Sequence, residues 1–210
     1  KLEENKDICI TSSGHVALLT CIHDILNKSK IGKCVTPAWS FASTKLITAL
    51  FNQHKFIDVG LDGFVSLADL VNIKNSVVVI VSPFGELPSR KYIKDLYSIS
   101  KKNNLSCIFD FAAALPNCLI VNDDRLNLIL KIGPVCFSLH VTKLISTLEG
   151  GCIVSKKSNQ KRYMKLINFG FSEKKVCNTQ YAMNGKLSEI NAAIGLISYK
   201  WFDKNKIKLK

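Results

Sequence analysis

Short apolar, β-branched runs recur along this chain at intervals that leave room for a helix between most of them, and that alternation constrains the fold more than any other feature. The runs are ICIT (8–11), KCVTP (33–37), KFIDV (55–59), SVVVIVS (76–82), LSCIFDF (105–111), CLIV (118–121) and VCFSL (135–139). Each reads as a short buried strand. Between them lie stretches of helical period: one opened by Ser13 and Gly14 and running through Leu26, one capped by Ser40 and reaching Phe51, a short one starting at Ser66, and one led by Ser89 to Lys101. Such alternation predicts an α/β fold, a mostly parallel sheet wrapped by helices on both faces, with ligands at the carboxyl ends of the strands.

After VCFSL the pattern changes. GGCIVS (150–155) is a strand reached through a glycine turn, which predicts an antiparallel addition to the sheet. A helix over 159–170, ended by Gly170, follows. In a final helix Leu187, Ile190, Ala193, Ile194, Ile197 and Trp201 recur at three- and four-residue steps, with Ser188 near its start. No internal repeat or linker divides the 210 residues. Residues 1–203 read as one domain and KNKIKLK (204–210) as a basic tail.

Composition removes several classes of function. With 47% hydrophobic residues and 11 Phe the chain is not disordered, and no run approaches the roughly 18 apolar residues of a membrane span. The polar opening, Lys1 to Asp7, leads straight into a strand, so the chain is expected to be cytoplasmic. Lys and Arg number 29 against 16 Asp and Glu, a net charge of +13 that suits an anionic partner. The lysines are scattered, however, with no basic stripe interleaved with aromatics, so nucleic acid is not expected and a phosphate-bearing ligand is. The eight cysteines, Cys9, Cys21, Cys34, Cys107, Cys118, Cys136, Cys152 and Cys177, never form a C-x-x-C pair and sit mostly in apolar segments. They read as buried free thiols, and no metal site is expected. His23 and His54 read as ordinary helix-surface or loop histidines.

Three loops carry chemistry. TSSGH (11–15) joins a strand to a helix, so the backbone N–H groups of Gly14 and His15 are placed for an anion, although any Ser-Gly helix cap has the same look. FDFAAA (109–114) ends an apolar strand with Asp110, which needs a cation or strong donor there, or else caps the next turn. FSLHVTKLISTLEGG (137–151) sets the Ser138 hydroxyl five residues before Lys143. That lysine is either a surface charge or a Schiff-base nucleophile.

In their order, these segments resemble the DegT-type nucleotide-sugar aminotransferases, a family of fold type I enzymes dependent on pyridoxal 5'-phosphate (PLP). SSGHVAL (12–18) resembles the family's Ser-Gly-Thr-x-Ala-Leu phosphate loop. TPAWSFAST (36–44) resembles Pro-Ser-x-Thr-Phe-x-Ala-Thr, and VSPFGE (81–86) resembles Val-His-x-Tyr-Gly. FDFAAA stands where members have Glu-Asp-Ala-Ala-Gln, and SLHVTKLISTLEGG (138–151) is similar to the lysine signature Ser-Phe-His-x-Thr-Lys-Asn-Leu-x-x-x-Glu-Gly-Gly. YAMNGKLSEINAAIGL (181–196) resembles the later Gly-Tyr-Asn-Tyr-Arg-Met-Ser-Glu-Ile-Gln-Ala-Ala-Ile-Gly-Leu. The resemblance spans nearly the whole chain.

It implies a three-layer α/β/α large domain, with the family's small C-terminal domain missing. It implies that Lys143 bonds PLP and shuttles a proton, and that Asp110 keeps the pyridine nitrogen protonated. Ser138, Gly14 and His15 would hold the phosphate, and Phe41 would stack on the ring. Asn184 would reach the cofactor of the neighbouring subunit, so a homodimer with shared sites is implied. The implied reaction moves an amino group from an amino acid, typically glutamate, to a keto sugar carried on a nucleotide. A related 3-dehydratase branch has histidine at the lysine position, so Lys143 points to amino transfer. Departures from the pattern are His15 for threonine, Ala113 for glutamine, Leu144 for asparagine, and Gly185-Lys186 for Tyr-Arg. Ala113 and the missing small domain support a second reading, a PLP-binding domain that keeps the fold with little or no turnover.

Overall fold

The computed structural model describes residues 5–29, 31–120, 124–171 and 179–206. Cys177 and most of the basic tail lie outside the described residues. Seven strands, β1 (Lys6–Thr11), β2 (Lys33–Pro37), β3 (Gln53–Ile57), β4 (Val77–Val81), β5 (Ser106–Asp110), β6 (Val135–Ser138) and β7 (Gly151–Lys156), form one sheet in the order β1-β7-β6-β5-β4-β2-β3. The pairs β2–β3, β2–β4, β4–β5 and β5–β6 are parallel. β7 runs against both of its neighbours, the antiparallel addition expected from its glycine turn.

Helices cover both faces of the central strands, which explains why β4, β5 and β6 read as continuous apolar runs: a strand buried on both sides has no polar face. On β4, Val78 and Ile80 point to one core and Val77 and Val79 to the other. The first core is closed by Leu70 of α3 (Leu67–Leu70), Tyr92, Ile93 and Leu96 of α4 (Arg90–Lys102), and Ile129 and Leu130 of α6 (Arg125–Leu130). The second is closed by Ala17, Leu18, Cys21 and Ile22 of α1 (Gly14–Lys28) and by Tyr163 and Ile167 of α7 (Lys157–Ile167). Ser13, Ser66 and Ser89 accept N-cap hydrogen bonds at α1, α3 and α4, and Ser188 does so at α8 (Glu189–Asn205).

Several sequence expectations are corrected. The apolar run 118–121 is not a strand: Leu115–Ile120 forms helix α5, and Val121 lies outside the described residues. Pro116 falls in its first turn, where a missing N–H costs nothing, and Cys118 N–H donates to Ala114 O at 3.0 Å. The six-residue α6 departs from the sequence reading, and its N-cap residue Asp124 makes no side-chain cap hydrogen bond. The helix expected from Ser40 to Phe51 is α2 (Ala42–Leu46), capped at Phe41, followed by a 3-10 turn over Ile47–Leu50. His54 belongs to β3, and His23, expected on a helix surface, is buried on α1. The His23 ring stacks on Tyr181 at 4.9 Å, and burial lowers its pKa to about 4. Cys9, Cys21, Cys34, Cys107, Cys136 and Cys152 are buried free thiols, and Cys118 is half-buried.

Candidate active site

The carboxyl ends of β1, β2, β4, β5 and β6 open into one cleft of about 860 Å³. Its walls include Ser13 to His15 from the loop after β1, Trp39 to Phe41 after β2, and Val81 to Phe84 from the end of β4 and the turn beyond it. Asp110, Ala112 and Ala113 come from the end of β5, and Ser138, His140, Thr142 and Lys143 from the end of β6. Six residues singled out in the sequence, Gly14, His15, Phe41, Asp110, Ser138 and Lys143, therefore share one cavity. Asn184 is not on its walls; it is exposed, and its Oδ1 accepts from Lys186 Nζ at 3.1 Å.

The α1 end of the cleft is built for an anion. Ser13 Oγ accepts from Val16 N–H at 3.1 Å, which leaves the first N–H groups of the helix, on Gly14 and His15, at its positive end. Gly14 lies against Ser138 so closely that a Cβ there would stand 2.9 Å from the Ser138 Cβ. Glycine is what lets the helix start and the serine hydroxyl face the same space. The His15 ring turns toward α2, where its Nδ1 meets Ser43 Oγ at 2.8 Å.

Asp110 forms the floor. Its Oδ2 accepts from Thr44 Oγ1 at 3.0 Å, and the carboxylate also takes the Ala112 N–H, so it caps the following turn while facing the cleft. Burial raises its pKa above the ordinary carboxylate value. The bonds from Thr44 and Ala112 and the charges of Lys143 and His15 oppose that rise. Burial lowers the pKa of His15, against the pull of Asp110.

Lys143 stands on the long loop between β6 and β7, half-buried, with its N–H donating to His140 O at 2.8 Å. His140 fixes that loop further: its Nδ1 lies 3.0 Å from Thr142 Oγ1, and its Nε2 is 3.4 Å from Glu149 Oε1. Opposite, the exposed rings of Trp39 and Phe84 meet edge-on at 5.6 Å. Phe84 has φ +51°, a strained value for a non-glycine residue and one often found beside functional sites. Thr44, Trp39 and Phe84 gave no sign of their own in the sequence. Each lies inside a segment already likened to the family, and that was the available signal.

Residues 2–208 match the model of the DegT/DnrJ/EryC1/StrS aminotransferase family. The chain belongs to that family. A Shigella dysenteriae dTDP-4-amino-4,6-dideoxy-D-glucose transaminase is 30% identical over 204 residues, covering 93% of this chain and 52% of the relative. A Campylobacter jejuni UDP-4-amino-4,6-dideoxy-N-acetyl-beta-L-altrosamine transaminase is 26% identical over 95% of this chain and 54% of its own length. Among solved structures, DesI in the presence of its TDP-sugar product superposes with a TM-score of 0.75 at 26% identity, over 94% of this chain and 49% of DesI. The chain thus spans about half the length of the curated relatives it matches. The DegT-family fold expected from the sequence is the fold observed.

Proposed function

We propose that this chain carries the PLP site of a sugar aminotransferase that moves an amino group from an amino acid, glutamate in our reading, to a keto sugar linked to a nucleotide. The observation that carries this reading is the convergence of Lys143, Asp110, Ser138 and the α1 N-terminus on one cleft. The donor set fits the cofactor. Its phosphate would meet the N–H groups of Gly14 and His15 and the Ser138 hydroxyl, and Phe41 would stack on its ring. Asp110, whose pKa burial has raised, gains from a cationic ring nitrogen, which adds to the charges of Lys143 and His15 in favouring its ionised form. When bound, PLP supplies an electron-withdrawing ring that takes up the electron pair released as the substrate carbon loses its proton. Lys143 is the group that bonds the cofactor and carries that proton. The sugar-nucleotide acceptor follows the names of the relatives from Shigella and Campylobacter.

Residues 1–203 are the cofactor-binding domain in this reading and 204–210 a basic tail. Six buried free thiols among the described residues support a reducing compartment, the cytoplasm. The position of Asn184, off its own cleft and on the surface, supports a homodimer in which it serves the neighbouring site. The test is half-transamination: the full chain, loaded with PLP and mixed with glutamate, should release one equivalent of 2-oxoglutarate per site. No keto acid from the loaded chain, with any amino acid donor, would leave only a binding domain.

A further inference from the structure

The loop over 139–150 joins its own ends through Leu139 N–H to Gly150 O at 2.8 Å and Thr147 N–H to Leu139 O at 2.9 Å. Beyond these and the His140 contacts, α8 supplies further fixed points. Ser146 N–H donates to Ser198 Oγ at 2.9 Å, and Asn191 Nδ2 donates to the Glu149 carbonyl at 2.8 Å. Gly195 lies so close to Thr147 that a Cβ at 195 would stand 2.4 Å from Thr147 Cγ2. Phe202, the buried residue of α8, closes a small cluster with Leu139 and Ile145.

Asn191, Gly195, Ser198 and Phe202 follow one another at four-, three- and four-residue steps, a single stripe of the helix. One face of α8 therefore meets the loop at Leu139, Ile145, Ser146, Thr147 and Glu149. Leu148, at the far end of that loop, has φ +65° and donates its N–H to Ser146 Oγ at 2.9 Å. A left-handed leucine persists only where its surroundings hold it. Apolar burial does not explain this stripe, because three of its four residues are polar or lack a side chain: it offers an acceptor, a donor and a gap.

We propose that α8 is the positioning element of the Lys143 loop, with Ser198 fixing its height through Ser146 N–H and Gly195 fixing its distance from the helix. Asn191, Gly195 and Ser198 stay off the walls of the cleft and act through the backbone that carries the lysine. The proposal rests on the reading of Lys143 as the cofactor lysine, whose amine must meet one fixed carbon and loses rate steeply when displaced.

Ser198→Ala and Gly195→Ala, made in the full chain, test it by two readouts. Amide hydrogen exchange over 139–150 should rise about 3–10-fold in Ser198→Ala, the weight of one neutral hydrogen bond, with β5 and α1 unchanged. The rate at which borohydride traps PLP on Lys143 should fall about tenfold in either variant, while trapping on other lysines stays level. Unchanged loop exchange and unchanged trapping would overturn the proposal, as would exchange rising evenly along the chain. Failure of the unaltered chain to trap PLP on Lys143 would instead remove the cofactor reading, and loop exchange alone would then decide whether α8 holds the loop.

Discussion

Asp110 sits at the cleft floor with its carboxyl held above the usual value by burial, so the folded chain releases that proton less readily than the unfolded one. The sign follows from linkage: the contribution of this group is most favourable at low pH and is lost as pH rises through the folded-state pKa. Asp110→Asn should therefore raise the thermal midpoint of the cofactor-free chain at pH 8 by about 2–4 °C, roughly 1 kcal/mol for a domain of this size, with the gain shrinking toward pH 4. The same variant should lose half-transamination by orders of magnitude. Paired melting curves at the two pH values check the first part, and a variant less stable at pH 8 would show that the bonds to Thr44 and Ala112 outweigh burial. Asp110 and Lys143 were legible in the sequence because each sits in a distinctive string, FDFAAA and SLHVTK. Thr44 was not, since a threonine in the first turn of α2 shows its partner only after folding brings it to β5.

Glycine spacing decides how elements meet at this site. Gly14→Ala would add helix propensity to α1 yet place a methyl group 2.9 Å from the Ser138 Cβ, so the helix start must move away from the Ser138 hydroxyl. The expected result is a folded chain whose affinity for PLP falls about tenfold or more, read by fluorescence titration against the unaltered chain. Unchanged affinity would mean that the α1 N-terminus does not hold the phosphate. The central strands of the sheet were readable because burial on both faces leaves unbroken Val, Ile and Cys runs. The crossover from β5 to β6 was not readable for the same physical reason in reverse: in CLIV, four apolar residues carry too little periodicity to separate strand from helix, and α6 lacks a side-chain cap.

α8 divides the molecule's two concerns between its faces. Its inner stripe holds the Lys143 loop, while Ile190, Ile197 and Trp201, part of the apolar stripe seen in the sequence, are 74%, 69% and 54% exposed. That periodicity identified a helix with an apolar face; it could not tell that the face points outward, because outward-facing apolar residues obey the same spacing. A homodimer joined over this face is expected, and Trp201→Glu should shift sedimentation from dimer to monomer at micromolar concentration. Mixing Asn184→Ala with Lys143→Ala chains should restore one working site per mixed dimer, and no recovery despite proven subunit exchange would count against shared sites. The claim on which the rest depends is that Lys143 holds the cofactor, and the direct measurement is borohydride reduction of the PLP-loaded chain followed by peptide mapping. The label should fall on Lys143 and vanish in Lys143→Ala; label on a different lysine, or none at saturating PLP, would contradict it.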